Sequence, residues 1–146
     1  MIMEQKNYHC SIAANITPDQ AYAGIANVAG WWAKSFKGKA LNTGDTFTVQ
    51  FGKTSVAFEI IEAMQGKKVV WKVTDCYLDW LHDKTEWMGT EIVWEITATD
   101  GVTKIDMTHV GLTPVVECYN DCRKGWDGHI TGSLLKLVTE GVGKPE

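Results

Sequence analysis

The residues of this chain that could do chemistry are few. His109 stands out. In TKIDMTHVGL (103–112) alternation puts Lys104, Asp106 and Thr108 on one face and Ile105, Met107 and His109 on the other. An imidazole on the apolar side of a strand, just before Gly111 and Pro114, has two readings. It is an acid–base or orienting group at the end of a cavity, since its ordinary pKa of about 6.5 lies near working pH, or it is a core histidine bonded to backbone or a carboxylate. Cys118 and Cys122 lie four apart, with His129 seven residues beyond. Structural zinc cysteines sit on turns at shorter spacing and usually in two pairs, so burial on a helix is the expectation and no metal is expected. Ser133 has no glycine–any–serine–any–glycine elbow and no paired base nearby in sequence. His82, flanked by Asp79 and Asp83, is a candidate contact at a cavity mouth. Asp83, Glu86 and Glu91 read most simply as solvated or cross-strand carboxylates. No phosphate loop or dinucleotide fingerprint is present, and no cofactor is expected.

Composition sets the frame for those groups. With 146 residues, 45% hydrophobic and 22% charged, the chain reads as one globular domain over 1–146. A net charge of −4 with no basic cluster speaks against a nucleic-acid partner. No apolar run approaches the roughly 18 residues of a membrane span. MIMEQKNY lacks the regions of a signal peptide, so the expected location is cytoplasmic. In that compartment the four cysteines are expected as free thiols. The seven tryptophans describe either a bulky core or the walls of a small-molecule pocket.

The elements that must position these groups are legible from periodicity. Residues 5–14 alternate as a strand. Thr17-Pro18-Asp19-Gln20 is a capping box that starts a helix carrying Ala21, Tyr22, Ile25 and Val28 and stopping near Gly30, with Trp31-Trp32 in a turn or second short helix. Period-two runs follow at 47–51, 55–63, 67–73, 89–98 and 103–110, several separated by glycine turns, as expected of antiparallel hairpins. The stretch 74–87 reads as a loop or lid. After Thr113-Pro114, Val115, Tyr119, Cys122, Trp126, Ile130, Ser133 and Leu137 recur at helical spacing. A curved antiparallel sheet gripping one long C-terminal helix, an α+β arrangement with two short helices after strand 1, accounts for this order.

The words DKTEWMGTEIVWEI (83–96), TKIDMTHVGL (103–112) and ECYNDCRKGWDGHITGSLLKL (117–137), taken with that order, resemble the START-related (SRPBCC, Bet v 1-like) helix-grip superfamily. Within it the chain is similar to the homologues of the heat-shock-protein ATPase activator. The resemblance implies the helix-grip fold. It leaves activity open, because the superfamily holds lipid and hormone binders, cyclases and stress-linked proteins. Such a fold also implies a cavity between helix and sheet. Phe58, Trp71, Trp94 and Trp126 are then candidate walls, Trp31 and Trp32 an entrance, Ile130 part of the helix lining, and His109 and Ser133 the scarce polar groups. The expected function is binding of a small hydrophobic or amphipathic molecule. The alternatives are a cyclase- or hydratase-type enzyme using His109, and a protein-interaction domain with a chaperone or other protein as partner, as the family name implies.

Overall fold

The structure, a computed structural model, describes residues 6–146; Gln5, the first residue of the expected opening strand, and most of the MIMEQKNY segment lie outside the described residues. Seven strands form one antiparallel sheet in the order β1-β7-β6-β5-β4-β3-β2. They are β1 (Tyr8–Ala14), β2 (Ser35–Gly38), β3 (Thr46–Phe51), β4 (Thr54–Met64), β5 (Lys68–Tyr77), β6 (Glu91–Thr99) and β7 (Val102–Val110). Helices α1 (Pro18–Ala26) and α2 (Val28–Trp31) follow β1. The long C-terminal helix runs from α3 (Tyr119–Asp127) through a π-helical stretch (Gly128–Leu134) into α4 (Leu135–Glu140). This is the helix-grip architecture, and two register shifts in the β4–β5 ladder help to curve the sheet.

Local chemistry explains most boundaries. Thr17 and Gln20 exchange side-chain to backbone hydrogen bonds at 2.8 and 3.1 Å, which starts α1. Every strand but β2 turns one apolar face inward: Tyr8, Cys10 and Ile12, Phe47 and Val49, Val56, Phe58 and Ile60, Val69, Trp71 and Val73, Ile92, Trp94 and Ile96, then Ile105, Met107 and His109 are all buried. Three features depart from the sequence expectation. The short edge strand β2 has only Phe36 as an apolar residue beyond its glycine, too little to show alternation. β5 runs on to Tyr77 because Asp75, Cys76 and Tyr77 still pair with Ala57, Val56 and Ser55, so the loop occupies 78–90. The C-terminal helix starts at Tyr119, not after Pro114, and Val115 is 72% exposed.

The helix winding follows its apolar spacing. Cys118, Cys122, Trp126, Ile130 and Leu134 recur every fourth residue and all are buried. At 3.6 residues per turn a strict spacing of four drifts around the cylinder. A wider π turn restores the register, and it lies at Gly128–Leu134. The stripe therefore stays on the sheet.

Candidate functional site

The loop over 78–90 is tied down by two carboxylates that act reciprocally. Glu86 accepts from the backbone N–H groups of Glu117 and Cys118 at 2.6 and 2.9 Å, capping the approach to α3. Glu117 in return accepts from His82 and Asp83 N–H at 2.9 and 3.0 Å, and these bonds hold its carboxyl below the usual range. Lys84 Nζ donates to the carbonyls of Asp79 and Leu81, closing the loop on itself. The effect is to seat Trp87 against the helix. Its ring stacks on Trp126 at 6.0 Å, and its Nε1 donates to Cys118 Sγ.

His109 sits beneath that stack with no exposed surface. Trp126 Nε1 donates to His109 Nδ1 at 3.1 Å. Thr90 Oγ1 lies 3.0 Å from His109 Nε2 and donates its own proton to the Trp87 carbonyl at 2.7 Å. The network thus assigns the neutral tautomer with the proton on Nε2, which the Thr90 oxygen accepts. Burial pushes the imidazole pKa down to about 3, so the ring stays neutral at physiological pH. Both nitrogens are committed to protein partners. Gly111 belongs to the same construction: its φ is +105°, and a Cβ there would lie 2.6 Å from Thr90 Cγ2. The histidine–any–glycine–leucine word is an architectural latch joining β7, the turn before β6 and α3.

A pocket of about 310 Å³ opens next to this latch. Trp32, just after α2, joins Phe51 and Val56 of the sheet, Leu78, Trp80 and Trp87 of the loop, and Cys122, Gly125, Trp126 and His129 of the helix. Thr54, Asp121 and Glu146 add polar groups. Burial lowers the His129 pKa, partly opposed by Glu146, whose carboxylate is 4.0 Å from Nε2. An open pocket of this size lined by aromatics with a few polar groups has the form of a small-molecule site.

Of the nine residues expected at a site, Trp32 and Trp126 line this pocket. Behind Trp32 lie Trp31, Phe58 and Trp71, with ring centroids at 6.0, 5.8 and 6.1 Å. Trp94 and His109 flank Trp126. These deeper rings and Ile130 have no exposed surface. Ser133 lies further along the helix, where its hydroxyl donates to the Trp31 carbonyl at 2.6 Å and accepts from Lys144 N–H at 2.7 Å. Among the described residues, the buried side-chain polar atoms without a partner are Trp71 Nε1 and Trp94 Nε1. Beyond Phe51, Val56 and Cys122, which periodicity marks only as inward-facing, the lining includes Thr54, Leu78, Trp80, Trp87, Asp121, Gly125, His129 and Glu146. Most of these lie on a loop without a period or on the helix flank beside the apolar stripe, and no sequence pattern marks such positions.

One expectation is corrected. Cys118 and Cys122 are not free thiols but a disulfide, leaving Cys10 and Cys76 as the free cysteines. The sequence argument took both as sitting within one regular helix. Cys118 is instead the cap residue, with φ −83° and ψ −1°, and its Cα lies 5.6 Å from that of Cys122, inside the range that bridges span. Among the described residues no three His, Cys, Asp or Glu side chains are grouped to hold a metal.

No family model matches the chain, and no curated protein matches it either. Solved structures do. The Aha1 dimer from Colwellia psychrerythraea is similar with a TM-score of 0.77 at 21% identity, covering 94% of this chain and 98% of that one. DynU16, from the dynemicin biosynthetic locus, is similar with a TM-score of 0.72 at 13% identity, covering 96% of this chain, which spans 49% of DynU16. CalU16 from Micromonospora echinospora gives 0.65 at 13%, covering 89% and 73%. The chain has the START/Bet v 1-like helix-grip fold. At these identities the likeness carries the fold and no activity.

Proposed function

We propose that this protein binds a small hydrophobic or amphipathic molecule in the pocket between the sheet, the 78–90 loop and the C-terminal helix. The observation that carries the reading is the lining: Trp32, Phe51, Trp80, Trp87 and Trp126 around a space of about 310 Å³. That space equals roughly ten water molecules at about 30 Å³ each, enough for a molecule of two or three rings. The deeper aromatics make Trp32 and Trp126 a rigid wall, which limits what binding must order. Acid–base chemistry at His109 gains no support from a ring that is buried with both nitrogens bonded. No helix among the described residues is long and apolar enough to cross a membrane.

The test is a titration with the neutral apolar probe N-phenyl-1-naphthylamine, read by probe emission and tryptophan quenching. Saturable binding near one site per chain supports the reading. The control is Gly125→Leu: Gly125 lines the pocket, and a Cβ there meets nothing within 4 Å. The variant fills the space and gains helix propensity, so it keeps the fold and loses the probe. Unsaturable binding, or equal binding by the variant, overturns the proposal.

A second reading, a surface for a chaperone or other protein, has one observation in its favour. Trp80, Met88 and Val115 are exposed on or beside the loop that Glu86 and Glu117 fasten to α3. Trp80→Ser should then abolish association in sedimentation experiments with the partner tested, and unchanged association would refute it.

A further inference from the structure

We infer that Cys118 and Cys122 form a reversible thiol–disulfide site, opened and closed in the folded protein by small thiols entering through the pocket, whose state sets the pocket's affinity. Only the effect on affinity rests on the binding reading above. The bridge links residues four apart in sequence, with Cα atoms 5.6 Å apart. So short a loop removes little entropy from the unfolded chain, and the fold does not depend on the bridge. When it opens, the two residues stay together. Cys122 N–H donates to the Cys118 carbonyl at 2.7 Å, and Glu86 accepts from Cys118 N–H at 2.9 Å. Thiols held in one turn re-form their bridge readily, because closure is intramolecular.

The two sulfurs are not equivalent. Cys122 lines the pocket, whereas Cys118 has no exposed surface. An incoming thiolate therefore attacks Cys122 Sγ, and Cys118 Sγ is the leaving group. Charge gathers on that sulfur where the protein favours it: Trp87 Nε1 donates to it at 3.3 Å, and Cys118 is the N-cap of α3. A mixed disulfide forms on Cys122 as the Cys118–Cys122 bond breaks. A second thiol attacks the outer sulfur, giving the small-molecule disulfide and releasing Cys122. Two thiols are oxidised, the two cysteines are reduced, and the protons of the thiols end on the cysteines. The small disulfide drives the same steps backwards. Opening acts on the pocket in one direction. Cys122 Sγ takes up space there, and the sulfur that anchors the Trp87 wall is no longer fixed to the helix.

The experiment equilibrates the whole protein, without denaturant, in mixtures of 2-mercaptoethanol and its disulfide. Acid quenching, denaturation and alkylation then count thiols by mass. The count should rise from two to four as the thiol share grows and return to two when the mixture is reversed. Saturating N-phenyl-1-naphthylamine should slow the exchange, and naphthylamine affinity should fall several-fold on reduction. The double variant Cys118→Ser, Cys122→Ser should bind as the reduced protein does in every mixture. A bridge that opens only in urea, exchange that the bound probe does not slow, or an affinity indifferent to the mixture overturns the inference. The thiol count needs no probe, so it separates the two readings: reversible exchange without naphthylamine binding overturns the binding reading and leaves the redox chemistry standing.

Discussion

Replacing His109 by glutamine should remove a defined part of the protein's pH dependence. The wild-type imidazole has its pKa lowered from 6.5 to about 3 by burial, and its hydrogen-bond partners, Trp126 and Thr90, carry no charge. In the unfolded chain the ring takes up a proton as pH falls below about 6.5, while in the folded protein it stays neutral until near its lowered value. The unfolded state thus binds more protons in that window, and stability falls as pH falls. Between pH 7 and pH 5 the loss from this one group is about 2 kcal/mol, a figure that requires only a folded pKa well below 5. Glutamine keeps a donor and an acceptor at similar reach but does not titrate. Urea unfolding followed by tryptophan fluorescence at several pH values, with wild type and variant side by side, isolates the term, because His129 and the carboxylates contribute to both. Parallel pH curves, differing by less than about 0.5 kcal/mol over that range, would mean that the folded ring protonates freely and that the latch is wrongly drawn.

Trp126→Ala should destabilise the fold by about 3–5 kcal/mol, since it removes a buried ring touching Trp32, Trp87 and Trp94. Trp126→Phe should cost about 1–3 kcal/mol, chiefly by orphaning His109 Nδ1. A loss below 1 kcal/mol for the alanine variant, measured by chemical denaturation, would put the ring on the surface. Gly111→Ala should lower stability by about 1–3 kcal/mol through its left-handed backbone and its crowding of Thr90, and an unchanged unfolding midpoint would refute that. Alkylation of the denatured, unreduced protein should label two cysteines, Cys10 and Cys76; four labelled cysteines would restore the free-thiol expectation.

The sheet and its inward face were legible because alternation is a local signal. Phe58, Trp71 and Trp94 follow from spacing alone, and Thr17–Gln20 announces α1 by its own chemistry. The helix start was not legible, because the group that caps it, Glu86, lies 31 residues away from Glu117 in sequence. The disulfide was not legible either, because a four-residue spacing on a helix reads as two buried thiols, whereas Cys118 at the cap and Cys122 in the first turn lie with Cα atoms 5.6 Å apart. The position of the pocket was hidden for a different reason. Pattern reasoning finds residues that point inward, but the inward residues fill the interior with ring-on-ring contacts. Space remains where the packing periodicity ends, at the loop carrying Trp80 and Trp87 and at the helix flank where Gly125 has no side chain. A lone His109 on an apolar face read as mainly architectural with pocket lining as the alternative, but its partners, Thr90 and Trp126, arrive from two other elements and were not legible.

The seven indole N–H resonances offer the most direct test of ligand binding in the pocket. A two-dimensional 1H–15N spectrum, assigned with single Trp→Phe variants, separates the rings that line the pocket, Trp32, Trp80, Trp87 and Trp126, from the deeper Trp31, Trp71 and Trp94. On titration with N-phenyl-1-naphthylamine the largest shifts should fall on the first group and saturate together, with Trp31, Trp71 and Trp94 moving least. Shifts centred on Trp71 and Trp94, or no saturable shift at any indole, would contradict the account.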